Sequence, residues 1–164
     1  MFNIVLVTPD IPHNAGAAGR LALATGATLH LVRPLGFSLD DKHVRRTGLD
    51  YWSQVELRVW DNFDELAAAA EPTAGFWFLS TKAQRSPWQA AFAPGDYLVF
   101  GAETRGLPEA LVAAAGDRAL CIPMKPGGIR SLNLATAVGI VLYEALRQQS
   151  PQATERWLWP NADL

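Results

Sequence analysis

Three short stretches hold the residues whose types and spacing could do chemistry. The first, Pro9-Asp10-Ile11-Pro12-His13-Asn14-Ala15-Gly16-Ala17-Ala18-Gly19-Arg20, offers polar reach from Asn14 and Arg20. Its small residues at 15–19 let a ligand or another backbone come close. Taken alone, Asn14 reads as a helix N-cap and Arg20 as a surface cation. The second, Phe100-Gly101-Ala102-Glu103-Thr104-Arg105-Gly106-Leu107-Pro108, sets Glu103 and Arg105 between two glycines. Its G-x-x-x-x-G spacing mimics a P-loop, but Leu107-Pro108 stands where Lys-Ser/Thr is required, so a nucleotide triphosphatase site would lack its cation. The third runs from Ile122-Pro123-Met124 through Gly127-Gly128 to Arg130-Ser131-Leu132-Asn133. Ser131 or Asn133 caps a following helix, and free N–H groups there, with Arg130 beside them, suit an anion.

Other chemistries lack their residues. His13, His30 and His43 form no i, i+4 pair and have no carboxylate set nearby, so a metal site is not expected. The single Cys121 excludes a disulfide framework and a Cys-based zinc site within one chain. It sits in an apolar stretch, where a free Cys behaves as a small core hydrophobe. Neither G-x-S-x-G nor G-x-G-x-x-G occurs.

The elements that must position these loops follow from the apolar runs. Phe2–Thr8, Thr28–Val32, Val55–Trp60, Phe76–Ser80, Tyr97–Phe100 and Ala119–Ile122 are strand-length, and several are apolar at consecutive positions, as in parallel strands buried on both faces. Ala17–Thr25, Asn62–Ala70 and Pro108–Ala115 read as helices, with Asp61 and Pro108 as start signals. The alternation predicts an α/β fold. The longest helical signal, Leu132–Gln148, has two apolar stripes, one through Leu132, Ala135, Gly139, Leu142 and Leu146, the other through Leu134, Val138, Val141 and Ala145. Such a helix is covered on more than one side, by the sheet and by something further, a partner subunit being one candidate.

Taken together, the three loops resemble the motifs of the SPOUT superfamily of RNA methyltransferases, and within it the TrmL/YibK type that methylates the wobble ribose of tRNA. The matching strings are Ile11-Pro12-His13-Asn14 with Arg20, Phe100 through Pro108, and Ile122-Pro123-Met124 with Arg130-Ser131-Leu132-Asn133-Leu134. Gly36 through Lys42, Arg45 through Tyr51 and Tyr143-Glu144-Ala145 also fit, so the resemblance spans roughly residues 1–148. The third loop is one residue longer than the usual pattern, at Gly127-Gly128-Ile129, and Ala135 replaces a frequent Ser.

The resemblance implies a parallel sheet flanked by helices with a C-terminal deep trefoil knot, a fold that composition and periodicity do not show. It implies one methyltransferase domain over 1–150 with a tail over 151–164, and a homodimer. It further implies binding of S-adenosylmethionine by Leu79, Ser80, Thr81, Gly101, Ile122, Met124, Ser131 and Leu132, with S-adenosylhomocysteine as product and no metal. Arg20 matches the catalytic Arg, supported by Asn14, Glu103, Ser131 and Asn133. Guanidinium stays protonated at ordinary pH, so Arg20 is a poor base. It is read as holding the adjacent phosphate and favouring the developing alkoxide. Methylation at another tRNA position or of rRNA, and a non-catalytic module that kept the fold, are the alternatives.

Composition fits such a substrate only when read by region. The 164 residues carry a net charge of −2, with 49% hydrophobic and only 18% charged residues. Residues 14–46 hold five Lys/Arg against two Asp/Glu, and 82–130 hold six against four, whereas 61–81 hold four acids and no base. Lys42, Arg45 and Arg46 before Tyr51-Trp52, together with Arg130, are the expected RNA contacts, combining phosphate neutralisation with aromatic stacking. The charge-poor surface fits a chain that buries area in a dimer. Met1–Val7 is too short for a signal sequence and no run reaches membrane-spanning length, so a soluble, cytoplasmic protein is expected. Trp157 and Trp159 make the tail too apolar for a plain solvated end.

Overall fold

Runs of Val, Ile and Leu without polar interruption need cover on both faces, and the computed structural model, which describes residues 1–39 and 51–149, provides it. Among these residues six strands form one parallel sheet: β1 (Asn3–Val7), β2 (Thr28–Val32), β3 (Leu57–Trp60), β4 (Phe76–Leu79), β5 (Tyr97–Phe100) and β6 (Ala119–Leu120). Their order is β3-β2-β1-β5-β4-β6, with β1 in register with both neighbours, Ile4 against Leu29 on one side and Leu98 on the other. The order changes direction at β1, and a cleft opens beyond the carboxyl ends of the strands at such a switch point.

The pleat divides the apolar residues between two layers. Ile4, Leu6, Leu29, Leu31, Leu98 and Phe100 face α1 (Pro12–Thr25) and α4 (Leu134–Gln149). Val5, Val7, Phe78, Tyr97 and Val99 face α2 (Phe63–Ala69) and α3 (Glu109–Ala115). Helix α1 turns Ala15, Ala18 and Ala22 inward, and these short side chains let α4 pack close against it. In α4 the stripe Leu134, Val138, Val141 and Ala145 is buried, while Ala135, Gly139 and Leu146 of the other stripe stay half-buried.

Several boundaries differ from the sequence reading, each for a local reason. Helix α1 starts at Pro12, five residues early, because Pro is well suited to the first helical position. Asn14 is therefore no N-cap but a buried residue of the first turn. Asn62, not Asp61, caps α2 by accepting the Glu65 N–H at 2.9 Å; Asp61 pairs instead with Arg33. Helix α4 begins at Leu134, where the Asn133 side chain accepts the Thr136 N–H, so Ser131 and Leu132 belong to the loop. Strand β6 ends at Leu120, and Cys121 lies half-buried beyond it, its thiol donating to the Ile122 carbonyl; burial pushes that thiol's pKa up. No helix among the described residues is long and apolar enough to cross a membrane.

One buried polar group gives the fold a pH dependence. Trp60 Nε1–H donates to His30 Nδ1 at 3.0 Å, which leaves Nε2–H to donate to Asn3 Oδ1 at 3.1 Å. Burial, and then the nearby Arg58 charge, lower the His30 pKa to about 4. An unfolded histidine takes its proton near pH 6.5. Between those values the unfolded chain holds more protons, so stability is full above pH 6.5 and falls as pH drops toward 4, by up to about 3 kcal/mol. Urea midpoints measured at pH 7.5 and 5 should show the drop, and His30→Gln should flatten it. Equal wild-type midpoints would mean that the folded imidazole protonates freely.

Candidate active site

A cavity of about 640 Å³ opens where β4, β5 and β6 end, bounded by the three segments that follow them and by the start of α1. Its apolar wall is built by Leu79 at the end of β4, by Ile122 and Met124 after β6, and by Leu132 and Leu134 at the entry to α4. Ser80, Thr81 and Ser131 add hydroxyls to the same lining. Gly101 follows β5 at a point where a Cβ would run into the backbone of Gly106 and Leu107. The chain folds back on itself there: Gly106 N–H donates to the Ala102 carbonyl at 2.8 Å, and Gly106 takes φ +70°, which favours glycine. The result is a tight loop whose backbone faces the cavity.

Side chains from all three loops meet in one line of hydrogen bonds. Glu103 accepts from the Asp10 N–H at 2.7 Å, the Ile11 N–H at 3.2 Å and Asn14 Nδ2 at 2.8 Å. Because Asn14 Nδ2 is a donor, Asn14 Oδ1 is the acceptor for Asn133 Nδ2 at 2.9 Å. Asn133 Oδ1 in turn holds the first turn of α4. Every amide in this chain has its orientation fixed by its neighbour. The loop after β1 is bent to meet Glu103 by Thr8, whose φ of 49° is strained for a β-branched residue. Asp10 then accepts from Thr104 Oγ at 2.8 Å and pairs with Arg105 at 3.2 Å.

The expected cofactor residues Leu79, Ser80, Thr81, Gly101, Ile122, Met124, Ser131 and Leu132 all line this one cavity. So do Asn14, Glu103 and Asn133 of the expected catalytic set, and Arg130 at the rim. Arg20 does not: it is exposed on α1, its guanidinium 4.9 Å from the centre of the Tyr51 ring. Lys42, Arg45 and Arg46 lie outside the described residues, as do Trp157 and Trp159.

Two ion pairs at the site are set by the fold alone. Lys82 and Glu109 form an ion pair within the cavity lining, and the Lys82 hydrogen bond and charge hold the Glu109 carboxyl below the usual carboxylate range. Their spacing of 27 residues carries no local signal. Asp10 and Arg105 were visible in the motif strings, but only the fold pairs them.

This arrangement suits a ligand with a flat apolar part between Leu79, Ile122 and Leu132 and polar groups reaching loop amides. Residues 1–143 match the model of the SpoU rRNA Methylase family. The chain belongs to that family. Among curated relatives, the tRNA (cytidine(34)-2'-O)-methyltransferase of Burkholderia pseudomallei (strain 1106a) is 49% identical over 150 residues, covering 90% of this chain and 96% of its own. A solved structure concerned with 2-OH methylation of C/U34 on tRNA superposes with a TM-score of 0.85 at 48% identity, covering 91% of this chain and 96% of its own. The SpoU methyltransferase AviRb from Streptomyces viridochromogenes, solved in complex with the cofactor AdoMet, has a TM-score of 0.74 at 26% identity, covering 90% and 57%.

Proposed function

We propose that this SpoU protein methylates the ribose 2′-OH of the wobble nucleotide of tRNA, C34 or U34, using S-adenosylmethionine. The observation that carries the reading is the line from Glu103 through Asn14 to Asn133, which joins the three loops around one cavity. A relative at 49% identity over nine-tenths of the chain bears the name of that activity.

The residues present fit the cofactor. The cavity volume lies within the range of small-molecule sites, roughly 300–1,000 Å³. Leu79, Ile122, Met124 and Leu132 supply apolar cover, the tight loop from Gly101 to Leu107 lines one side, and Ser80, Thr81 and Ser131 supply hydroxyls. When bound, S-adenosylmethionine would supply a sulfonium methyl carbon that is already electrophilic and leave as S-adenosylhomocysteine, while the proton of the 2′-OH passes to solvent water. The protein's own work is to hold the ribose oxygen in line with that carbon, worth up to ~7–11 kcal/mol in ideal cases. The fixed Asn14 and Asn133 amides give this alignment its polar frame. Lys42, Arg45, Arg46 and Arg130 are the proposed contacts to tRNA, and no metal takes part. The deep trefoil knot, the single domain over 1–150 and a cytoplasmic location belong to the same reading.

Arg20 is proposed to hold a phosphate and favour the developing alkoxide, and it stands outside its own cavity. That placement supports a homodimer in which each site takes Arg20 from the other chain. Leu23 on α1 and Tyr143 on α4 are exposed large hydrophobics of the kind such an interface covers.

Two experiments test the reading. Nucleoside mass spectrometry of tRNA from cells lacking the gene should show the methyl group missing at position 34; unchanged methylation there would point to another RNA. Co-expression of Arg20→Ala and Gly101→Val chains should restore about a quarter of wild-type activity, because half the dimers are mixed and each mixed dimer has one intact site. No recovery would place Arg20 in the site of its own chain.

A further inference from the structure

We infer that Arg105 is a phosphate contact for the RNA substrate, and that Asp10 is the positioning residue that aims it; this rests on the methyltransferase reading above. Arg105 lies in the rigid turn between Gly101 and Gly106 and lines the cavity rim, yet its side chain is 66% exposed. One NH2 group donates to Asp10 Oδ1 at 3.2 Å; among the described residues this is its one hydrogen bond, and the exposed side chain keeps further guanidinium donors for a ligand.

Asp10 is itself immobilised. Its N–H is held by Glu103, its other carboxylate oxygen by Thr104, and the Gly36 N–H bonds to the preceding Pro9 carbonyl at 2.9 Å. Three successive side chains, Glu103, Thr104 and Arg105, thus reach the same short segment, Asp10–Asn14. An exposed ion pair adds little to stability. A pair with one partner already held by other hydrogen bonds does something else: it fixes the direction of a charged fork at reduced entropic cost. At the mouth of a site for a ribose hydroxyl, the anion within reach of such a fork is a phosphate flanking that ribose. Of the other cations in the lining, Lys82 is paired with Glu109, whose carboxylate makes no hydrogen bond to another of the described residues. The partner of Arg105, by contrast, is itself held by Glu103 and Thr104, and Arg130 has no ion pair among the described residues.

The test is equilibrium binding of tRNA across a salt series, with steady-state kinetics alongside. Arg105→Gln should lower the slope of log K against log salt by about 0.7–0.9, the share of one phosphate contact. It should raise KM for tRNA roughly tenfold with kcat and S-adenosylhomocysteine affinity little changed. Asp10→Asn should raise KM less and leave the salt slope closer to wild type. Arg58→Gln, on β3 away from the cavity, is the control and should change neither. An unchanged salt slope for Arg105→Gln, or a loss confined to cofactor affinity or melting temperature, overturns the inference. Binding is measured whether or not position 34 receives the methyl group, so the mapping experiment decides the activity separately.

Discussion

Glu103→Gln should cut the single-turnover rate by about 100-fold while leaving the protein folded. Gln keeps the shape of Glu but replaces one oxygen by an N–H donor. The site offers that side chain only donors: the Asp10 and Ile11 N–H groups and Asn14 Nδ2. Whichever way the new amide turns, at least one donor faces another donor. Asn14 is 3% exposed and has no water to turn to. The cost to stability is that of an unsatisfied group, about 1–3 kcal/mol, or roughly 2–12 °C in Tm for a domain of this size. The cost to rate is larger, because Asn14 is aimed by Glu103, and a misplacement of ~1 Å can cost about 100-fold. Affinity for S-adenosylhomocysteine should fall much less, since the apolar wall is untouched. Glu103→Asp, a methylene shorter, should not rescue the rate. A Glu103→Gln enzyme with near-normal turnover would show that the carboxylate has no part in holding the site.

The layout of the fold was legible because buried parallel strands leave uninterrupted apolar runs, and all six runs became strands. What the runs could not fix was their ends. Ala119–Ile122 reads as one strand, yet only Ala119–Leu120 pairs with β4, because Cys121 bonds to the Arg85 carbonyl and the chain then leaves for the cavity. The site was legible as three strings of residues, and its hydrogen-bonding logic was not. Asn14 lies 89 residues from Glu103 and 119 from Asn133, so no local pattern shows that the two amides and the carboxylate meet. Residue type alone makes Asn14 an N-cap, but Pro12 sets the helix start two residues earlier and Asn14 is buried in the first turn. Arg20 shows the opposite limit. Its match to a catalytic residue came from the resemblance, while its position over Tyr51 comes from the fold.

Gly101→Ala should abolish measurable cofactor binding, a loss of at least about 100-fold, from the addition of one methyl group. The new Cβ would fall well inside contact distance of the Gly106 carbonyl carbon and the Leu107 nitrogen. Neither can give way cheaply. Gly106 is tied back to Ala102, and Leu107 is 6% exposed in the layer with Val99 and Val112. A flexible side chain would move aside; a pinned backbone must take the loop with it. Overpacking of this kind costs about 1–3 kcal/mol of stability. The displaced residues, Gly101 through Leu107, are cavity lining, so the damage to binding should exceed the damage to folding. Gly106→Ala separates space from strain. A Cβ at that glycine meets nothing within 4 Å, but φ is +70°, so the cost is conformational, about 1–2 kcal/mol. It should bind S-adenosylhomocysteine within several-fold of wild type. Calorimetry on both variants, with circular dichroism to confirm folding, gives the answer. If Gly101→Ala binds as well as Gly106→Ala, the close approach of the two backbone segments is not what shapes the cofactor site.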